Sequence, residues 1–229
     1  ATFMVAGKAC TRGCRFCAVD TIRNPPPPDE DEPIKLAEAI KNMGLTYSVI
    51  TVVNRDDMDD GGALHYKKCI DKVHEICPKV GIEFLCSDLS GNVNALEFLL
   101  DNSPLTVFAH NVETVRRLTP RVRDPRATFD QSLLILKKAK DFRPDIITKT
   151  SIMLGLGETE EDLLSTFMEL RDAKVDLLTL GQYLSPGPRY HPVVSFPSPE
   201  TFDSLAQIAK EMGFKAIASG PMVRSSYRA

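Results

Sequence analysis

Residues 47–76 read YSVITVVNRDDMDDGGALHYKKCIDKVHEI, and this stretch indicates how the chain folds. Its first part, 47–53, is β-branched and predicts a buried strand. Its last part, 63–76, predicts a helix, and a polar run with two glycines joins the two elements. The stretch is therefore typical of one unit in which a strand is followed by a loop and a helix.

The same alternation continues through the rest of the chain. Strands are predicted at 2–6, 47–53, 81–86, 104–110, 146–154, 175–180 and 214–219. Helices are predicted at 33–43, 63–76, 93–100, 113–118, 128–140, from 159 onward, and at 199–212. About seven strands alternating with helices imply a parallel sheet covered by helices. We predict an α/β fold with a partial TIM-type (βα)6 barrel of parallel strands.

Composition limits the possible functions. The 229 residues suit a single domain over 1–229, with 220–229 as a C-terminal tail, and 43% hydrophobic residues can form a sizeable core. A net charge of −3 argues against a general nucleic-acid partner. No apolar run approaches the ~20 residues of a membrane span, and no signal peptide is visible, so no membrane partner is expected. Because the sequence runs from Ala1 directly into a predicted strand, we expect a fragment whose upstream residues are missing.

Polar residues follow six successive predicted strands. These segments are the loop around Cys10–Cys17, then 54–57, 87–88, 110–114, 155–159 and 182–183. In barrels of this type the reactive residues lie at the carboxyl ends of the strands. The six segments therefore predict one shared site at that end of the sheet.

The first of these segments, Cys10-Thr-Arg-Gly-Cys14-Arg-Phe-Cys17, carries the strongest chemical signal. A compact loop can supply several thiolates to an iron–sulfur cluster, and three thiolates leave the fourth iron of a four-iron cluster open to a ligand. A structural zinc site would need a fourth ligand at standard spacing, and the four histidines show none. A redox Cys-x-x-Cys would not need Cys10. The other cysteines, Cys69, Cys77 and Cys86, are interpreted as small buried hydrophobic residues.

With Phe16 as the aromatic residue, this loop resembles the Cys-x-x-x-Cys-x-aromatic-Cys signature of radical S-adenosylmethionine enzymes. The resemblance implies that Cys10, Cys14 and Cys17 hold a [4Fe-4S] cluster whose open iron binds S-adenosylmethionine. It also implies that the reduced cluster breaks the sulfonium bond to give a 5′-deoxyadenosyl radical, which removes hydrogen from unactivated carbon.

Within that superfamily the chain resembles the lipoyl synthases. The similar stretches lie at 10–20, 54–63, 110–115, 153–159, 178–184 and 224–227, the last being Arg-Ser-Ser-Tyr. The resemblance implies that Ser226 ligates a second, auxiliary [4Fe-4S] cluster, which supplies the two sulfur atoms inserted at C6 and C8 of a carrier-bound octanoyl chain. The family's other auxiliary ligands form a Cys-x4-Cys-x5-Cys segment upstream of the radical loop, and 1–229 does not contain it.

The resemblance also implies partners and a compartment. Expected partners are an octanoylated lipoyl-carrier domain or glycine-cleavage H-type protein, an electron donor such as ferredoxin or flavodoxin, and an iron–sulfur carrier. The expected location is the cytoplasm, or the mitochondrial matrix or plastid if the source is eukaryotic.

Further residues are candidates for the S-adenosylmethionine site. They are Phe16, Arg55, Asp56, Asp88, Asn111, Glu113, Gln182 and Tyr183. From the residues alone, Arg55–Asp57 also fits an ion-paired surface turn, and Asn111 with Glu113 fits a helix cap and a first-turn acid. Lys149 lies inside a predicted strand and either faces solvent or pairs with an acid. Tyr227 and Arg228 either support Ser226 or are simple tail residues.

Two other functions stay open at this point. One is another sulfur-inserting radical enzyme resembling biotin synthase, against which the Arg-Ser-Ser-Tyr motif argues. The other is a non-catalytic iron–sulfur or zinc scaffold, which metal analysis would distinguish.

Overall fold

The computed structural model describes residues 1–226. The strands are β1 (Thr2–Val5), β2 (Ala9–Cys10), β3 (Asp20–Thr21), β4 (Tyr47–Val52), β5 (Gly81–Leu85), β6 (Val107–Ala109), β7 (Ile147–Leu154), β8 (Leu177–Gln182) and β9 (Ala216–Gly220). The helices are α1 (Glu32–Asn42), α2 (Ala63–Ile76), α3 (Val93–Leu100), α4 (Thr119–Val122), α5 (Phe129–Phe142), α6 (Glu160–Asp172) and α7 (Pro199–Glu211). Across 1–226 no helix combines the length and apolarity required to cross a bilayer.

Seven of the strands form one sheet, in the order β1-β4-β5-β6-β7-β8-β9. Every neighbouring pair in it is parallel, and helices connect each strand to the next. The chain therefore forms the partial TIM-type barrel that the alternating pattern predicts. The short strands β2 and β3 pair separately, on either side of the cysteine loop.

Apolar residues at helical and strand spacing build the core. One buried cluster packs α1, α2 and α3 against β4 and β5, with Ile40, Ile70 and Phe84 fully buried. A second packs α6 and α7 against β7 and β8, with Phe167 and Phe202 at its centre. Burying one such side chain stabilises the fold by about 1.5–3 kcal/mol, so the sheet is a firm platform for its carboxyl-end loops.

Local sequence signals account for several helix starts. The Thr159 side chain accepts a hydrogen bond from the Asp162 N–H, and the Asp162 carboxylate accepts one from the Thr159 N–H, which is the capping box predicted there. Ser198 caps α7 in the same way as predicted, by accepting from the Thr201 N–H.

The predicted helix over 113–118 is wrong. Glu113 instead forms a parallel bridge with Ile152 of β7, with its φ at 67°, and the helix α4 begins only at Thr119. Proline favours the first turn of a helix, and Pro120 places that turn after the predicted segment. Because no helix begins at residue 113, Asn111 and Glu113 are not a helix cap and a first-turn acid.

The sixth predicted strand, 175–180, lies two residues later in the structure, at Leu177–Gln182. Strand β8 starts at Leu177 because the backbone of Val175 still bonds back to Leu170, and Asp176 bonds to Thr148. Gln182 is consequently the last residue of the strand, while Tyr183 follows it.

Lys149 pairs with an acid, which is one of its two predicted environments. Its ammonium group lies 2.8 and 3.0 Å from the two carboxylate oxygens of Glu83, and Tyr47 donates to the same carboxylate at 3.0 Å. These residues line a cavity of about 730 Å³ bounded by β8 and β9. The pair thus lies inside the fold, beside the last two strands.

Candidate functional site

The cysteine loop begins where β2 ends and is fixed by backbone contacts from distant segments. The N–H of Thr11 donates to the carbonyl of Asn54 at 3.0 Å, and that of Arg15 donates to Val122 at 2.8 Å. Asp124 accepts from the N–H of Gly13 at 2.9 Å. The ends of β4 and α4 therefore determine the shape of this loop.

Two of the three cysteine sulfurs receive a backbone N–H. Arg12 donates to Cys10 Sγ at 3.4 Å and Asp124 donates to Cys14 Sγ at 3.3 Å, while the backbone of Val19 counteracts part of the burial effect on the pKa of Cys17. Burial raises the pKa of Cys14 to about 11 and also raises that of Cys17, while the N–H donors oppose the rise. Donors directed at sulfur favour the thiolate, so the loop suits a group that binds thiolates.

Arg12, between the first two cysteines, lies at the centre of a buried ion cluster. Its Nε and Nη2 donate to the two oxygens of Asp56 at 2.9 and 2.7 Å, and its Nη1 donates to Asp88 at 2.6 Å. The side chains of Arg12 and Asp88 are 1% and 0% exposed. Bidentate pairing of this kind fixes the guanidinium in one geometry and therefore holds the loop against β4 and β5.

The two acids are held ionised by this arrangement. Burial is the largest single influence and alone would raise the pKa of Asp56 and of Asp88, but the hydrogen bonds and charge of Arg12 together with bonds from neighbouring side chains lower both. Arg55 forms a separate pair with Asp57 at 2.7 Å and donates to the carbonyl of Ala6 at 3.0 Å. Arg55, Asp56 and Asp88 thus surround the base of the loop and are already bonded to protein partners.

Five other candidate residues meet at a cavity of about 270 Å³ at the carboxyl ends of β7 and β8. They are Phe16, Asn111, Glu113, Gln182 and Tyr183. An adjoining cavity of about 150 Å³ shares the first three of them and adds Cys14 and Arg123. The cysteine loop therefore opens into the space that these side chains enclose.

Glu113 is the acid of this cavity. Burial raises its pKa, and this rise is opposed by the nearby Arg123 charge and by a hydrogen bond with the Asn111 side chain. Arg123 is 7% exposed, and its Nε has no hydrogen-bond partner among residues 1–226. Arg123 thus lines the smaller cavity and brings a positive charge to it, while its Nε is a buried donor.

His110 behaves as a structural residue. Its Nδ1 lies 2.9 Å from the carbonyl of Cys86, which can only accept, so Nδ1 carries the proton and Nε2 accepts from Ser132. Burial and the positive charge of Arg123 lower the pKa of His110 to about 4. The imidazole is therefore neutral at pH 7.

Gln182 and Tyr183 are held by backbone carbonyls. The Gln182 amide N–H₂ contacts the carbonyls of Leu154, Tyr183 and Ser195 at 2.9–3.2 Å. The Tyr183 hydroxyl donates to the carbonyl of His191 at 2.7 Å. Within residues 1–226 the Gln182 amide oxygen makes no hydrogen bond of this kind, so it is the polar atom of the two side chains that can face a ligand.

The C-terminal segment closes the far wall of the larger cavity. Val223, Arg224 and Ser225 line it, and the partly exposed Ser226 follows in the same turn. Gly181 permits this contact, because a Cβ there would lie 2.2 Å from the Val223 carbonyl oxygen. Ser226 therefore lies next to the cavity wall, whereas Tyr227 and Arg228 lie outside the described residues.

Sequence reasoning missed Arg12, Arg123 and Asp124. Each looks like an ordinary surface charge in the sequence, and their partners are up to 111 residues away. The only available signal was position, since Arg12 lies between two candidate ligands and both of its acids directly follow predicted strands.

Comparisons with known proteins agree with this geometry. A family model described as the radical SAM superfamily matches residues 4–170. A mitochondrial lipoyl synthase of Bos taurus is 53% identical over all of this chain and 61% of its own length, and a lipoyl synthase of Marinobacter nauticus is 52% identical over all of this chain and 66% of its own length. The chain thus spans about three fifths of these curated relatives.

The fold is also that of known structures. The hydrogenase maturase HydG of Carboxydothermus hydrogenoformans superposes with a TM-score of 0.69 at 13% identity, over 98% of this chain and 64% of that one. Membership of the superfamily implies a [4Fe-4S] cluster and S-adenosylmethionine as cofactors, and three clustered cysteines beside a cavity lined by Cys14 and Phe16 fit both. The chain belongs to the radical SAM superfamily and is similar over its whole length to lipoyl synthases.

Proposed function

We propose that this chain is the catalytic core of a lipoyl synthase, which inserts sulfur at C6 and C8 of an octanoyl chain bound to a carrier protein. The observation that carries the proposal is the compact three-cysteine loop, in which Cys10 and Cys14 each receive a backbone N–H and Cys14 and Phe16 line a cavity. The identity to lipoyl synthases over the whole chain supports the choice of reaction.

In this proposal Cys10, Cys14 and Cys17 hold the cluster that binds S-adenosylmethionine. When bound, that pair of cofactors supplies the carbon-centred radical that removes hydrogen from an unactivated C–H bond. The N–H donors stabilise the negative sulfurs, and Arg12 keeps the loop in its binding shape. Phe16 lines both adjoining cavities and gives the space beside the cysteines an apolar side.

The remaining candidate residues are proposed to orient the cofactor. Asn111, Glu113 and the Gln182 amide oxygen offer acceptors for its amino and sugar groups, and the positive charge of Arg123 beside the smaller cavity favours its carboxylate. Tyr183 contributes an apolar wall. Asp56, Arg55 and Asp88 hold the base of the loop.

Ser226 is proposed as one ligand of an auxiliary [4Fe-4S] cluster that donates sulfur. Its neighbour Ser225 lies on the cavity wall, so a cluster held there would be close to the site of hydrogen removal. The other three ligands are expected from a Cys-x4-Cys-x5-Cys segment of the whole protein. The tail carrying Arg-Ser-Ser-Tyr then belongs to the same single domain as the partial barrel.

The partners and compartment follow from the same proposal. The substrate is an octanoylated lipoyl-carrier domain or H-type protein, a ferredoxin or flavodoxin supplies electrons, and an iron–sulfur carrier renews the auxiliary cluster. The Bos taurus relative is named as mitochondrial, so we expect a mitochondrial or plastid location for a eukaryotic source and the cytoplasm for a bacterial one.

The test is anaerobic reconstitution of the whole protein with iron and sulfide, followed by assay of 5′-deoxyadenosine and of lipoyl product on an octanoylated carrier. Cys14→Ala should abolish both products, whereas Cys77→Ala, a half-buried cysteine outside the site, should keep them. If Cys14→Ala still cleaved S-adenosylmethionine, the assignment of the loop would be wrong. Sulfur insertion into dethiobiotin instead of octanoyl carrier would favour the biotin synthase-like alternative.

A further inference from the structure

Outside the cysteine loop, three side chains of different metal-ligand type meet where α1 and α2 begin. They are Glu32, His65 and Cys69, and one ligand atom from each lies within 4.8 Å of the other two. His65 Nε2 is 2.5 Å from a carboxylate oxygen of Glu32 and 3.7 Å from Cys69 Sγ. No step of the proposed reaction uses this cluster.

The secondary structure holds the three atoms together. His65 and Cys69 are four residues apart on α2, so their side chains lie on the same face of that helix. Glu32 is the first residue of α1, which packs against α2. The same oxygen of Glu32 also accepts from the N–H of Ala6 at 2.7 Å, which fixes the carboxylate toward α2.

One imidazole nitrogen is shared between the other two groups of this cluster. A neutral imidazole nitrogen carries either one proton or one lone pair, and Nε2 faces both the carboxylate and the thiol. Cys69 is fully buried, and within 1–226 the polar contact of its sulfur is with that nitrogen. Because sulfur is a weak hydrogen-bond acceptor, the buried thiol is only weakly bonded and is available to a stronger partner.

We propose that Glu32, His65 and Cys69 form a mononuclear zinc site. Zinc binds carboxylate oxygen, imidazole nitrogen and thiolate sulfur in tetrahedral geometry, which puts nitrogen and sulfur ligands about 3.5 Å apart. The separation of 3.7 Å between Nε2 and Sγ is close to that value, and the Glu32 oxygen must withdraw by less than about 1 Å.

Solvent completes the coordination. The side chains of His65 and Glu32 are 11% and 20% exposed, so water can reach the fourth position while Cys69 stays buried. A divalent ion here carries two negative ligands and one neutral ligand, which leaves the site uncharged. Arg55, which is near Glu32, is already neutralised by Asp57 and does not oppose the cation.

The position of the site suggests its effect. Glu32 binds the N–H of Ala6 while Arg55 binds the carbonyl of the same residue, four positions before Cys10. Zinc would therefore immobilise the chain segment that leads from β1 into the cysteine loop. Its role is structural and does not depend on which reaction the cysteine loop supports.

The test uses cluster-loaded protein, treated with a mild chelator and then dialysed against micromolar Zn²⁺. Zinc content by mass spectrometry should be one equivalent per chain, and zinc K-edge absorption should fit one sulfur ligand at about 2.3 Å. Three sulfur ligands would instead place the zinc on the cysteine loop and overturn the proposal. The zinc edge is read separately from iron, so the cluster does not interfere.

Variants identify the ligands. Cys69→Ala and Glu32→Gln should each weaken zinc binding by on the order of 100-fold, while Cys77→Ala, just beyond the end of α2, should bind as the parent does. The amide oxygen of Glu32→Gln can still accept from Ala6, so this variant decides the matter if Cys69→Ala does not fold. Unchanged zinc content in Glu32→Gln, or no binding by the parent, would leave only a hydrogen-bonded cluster and refute the site.

Discussion

Replacing Arg12 by methionine should destabilise the protein more than any change at an exposed ion pair. The substitution keeps an unbranched apolar stem but removes the cation that Asp88 needs, and the Asp88 side chain is 0% exposed. Removing one partner of a buried ion pair costs about 3–5 kcal/mol, because the remaining charge has lost its compensation. Total stabilities are only about 5–15 kcal/mol, so the loss is a large share.

The expected shift is large enough to measure by thermal unfolding. For a chain of this length each kcal/mol lowers Tm by about 2–4 °C, so Arg12→Met should lower it by about 6–20 °C at pH 7. Arg126→Met is the matched control, since the Arg126 side chain is 52% exposed where it pairs with Asp56 and Asp124. Exposed pairs contribute about 0–1 kcal/mol, which predicts a change of only a few degrees.

The pH dependence of the difference in Tm between the parent and Arg12→Met distinguishes loss of the charge from a packing defect. In the parent, burial raises the Asp88 pKa but Arg12 lowers it further, so this acid contributes stability above its unfolded pKa and loses it as pH falls through the lower folded value. In Arg12→Met burial loses its main opponent, the Asp88 pKa rises, and protonation relieves the variant as the pH falls toward about 4. The gap in Tm between parent and variant should therefore narrow from pH 7 to pH 4.

Circular dichroism melts of the apoprotein at both pH values provide the measurement. Adding Asp88→Asn to Arg12→Met should recover part of the loss, because an amide is cheaper to bury unpaired than a carboxylate. An Arg12→Met variant that melts within about 2 °C of the parent at pH 7, or a gap equal at both pH values, would refute the reasoning.

Three further outcomes are expected. Gly181→Ala should displace the segment around Val223, because the new Cβ would meet the Val223 carbonyl at 2.2 Å, and hydrogen exchange over 216–226 should accelerate. Lys149→Met should lower the free energy of unfolding by about 3–5 kcal/mol in urea, because it leaves Glu83 buried without its cation. Asp176 has a pKa of about 2, since two lysine hydrogen bonds outweigh burial, so its contribution to stability should fade between pH 4 and pH 2 and Asp176→Asn should flatten that part of the curve.

Each outcome has a matched control. Gly187→Ala should leave hydrogen exchange unchanged, since its Cβ would meet only the Tyr190 ring at 3.8 Å. The double variant Glu83→Gln with Lys149→Met should be more stable than Lys149→Met alone, and the opposite result would contradict the buried-pair argument. If the stability of Asp176→Asn fell with acid as steeply as that of the parent, another group would be responsible.

The sequence predicts the strands and helices well because their signals are local. The helix at Ala63–Ile76 has the bounds expected from the sequence, and the capping residues Thr159 and Ser198 mark the starts of α6 and α7. The error over 113–118 arose where a long-range contact decides the backbone: Glu113 pairs with β7 instead of starting a helix.

Only those parts of the site that have local sequence signals could be predicted. The cysteine loop is a contiguous motif, and the strand-end rule brings Asn111, Glu113 and Gln182 to one cavity. The ion pairs could not be predicted, since Arg12 meets an acid 76 residues away and Lys149 meets one 66 residues away. Charge alone does not reveal which of the many acids in a chain a given cation will face.

The order of the main sheet has a practical consequence for handling the protein. Strands β1 and β9 stand at its two ends, and within 1–226 neither has a second strand beside it in that sheet. Uncovered edges of this kind present free N–H and C=O groups that recruit strands from other molecules. A preparation limited to this segment should thus tend to aggregate as its concentration rises, and a lysine or proline introduced on the outer side of β9 should improve its solubility.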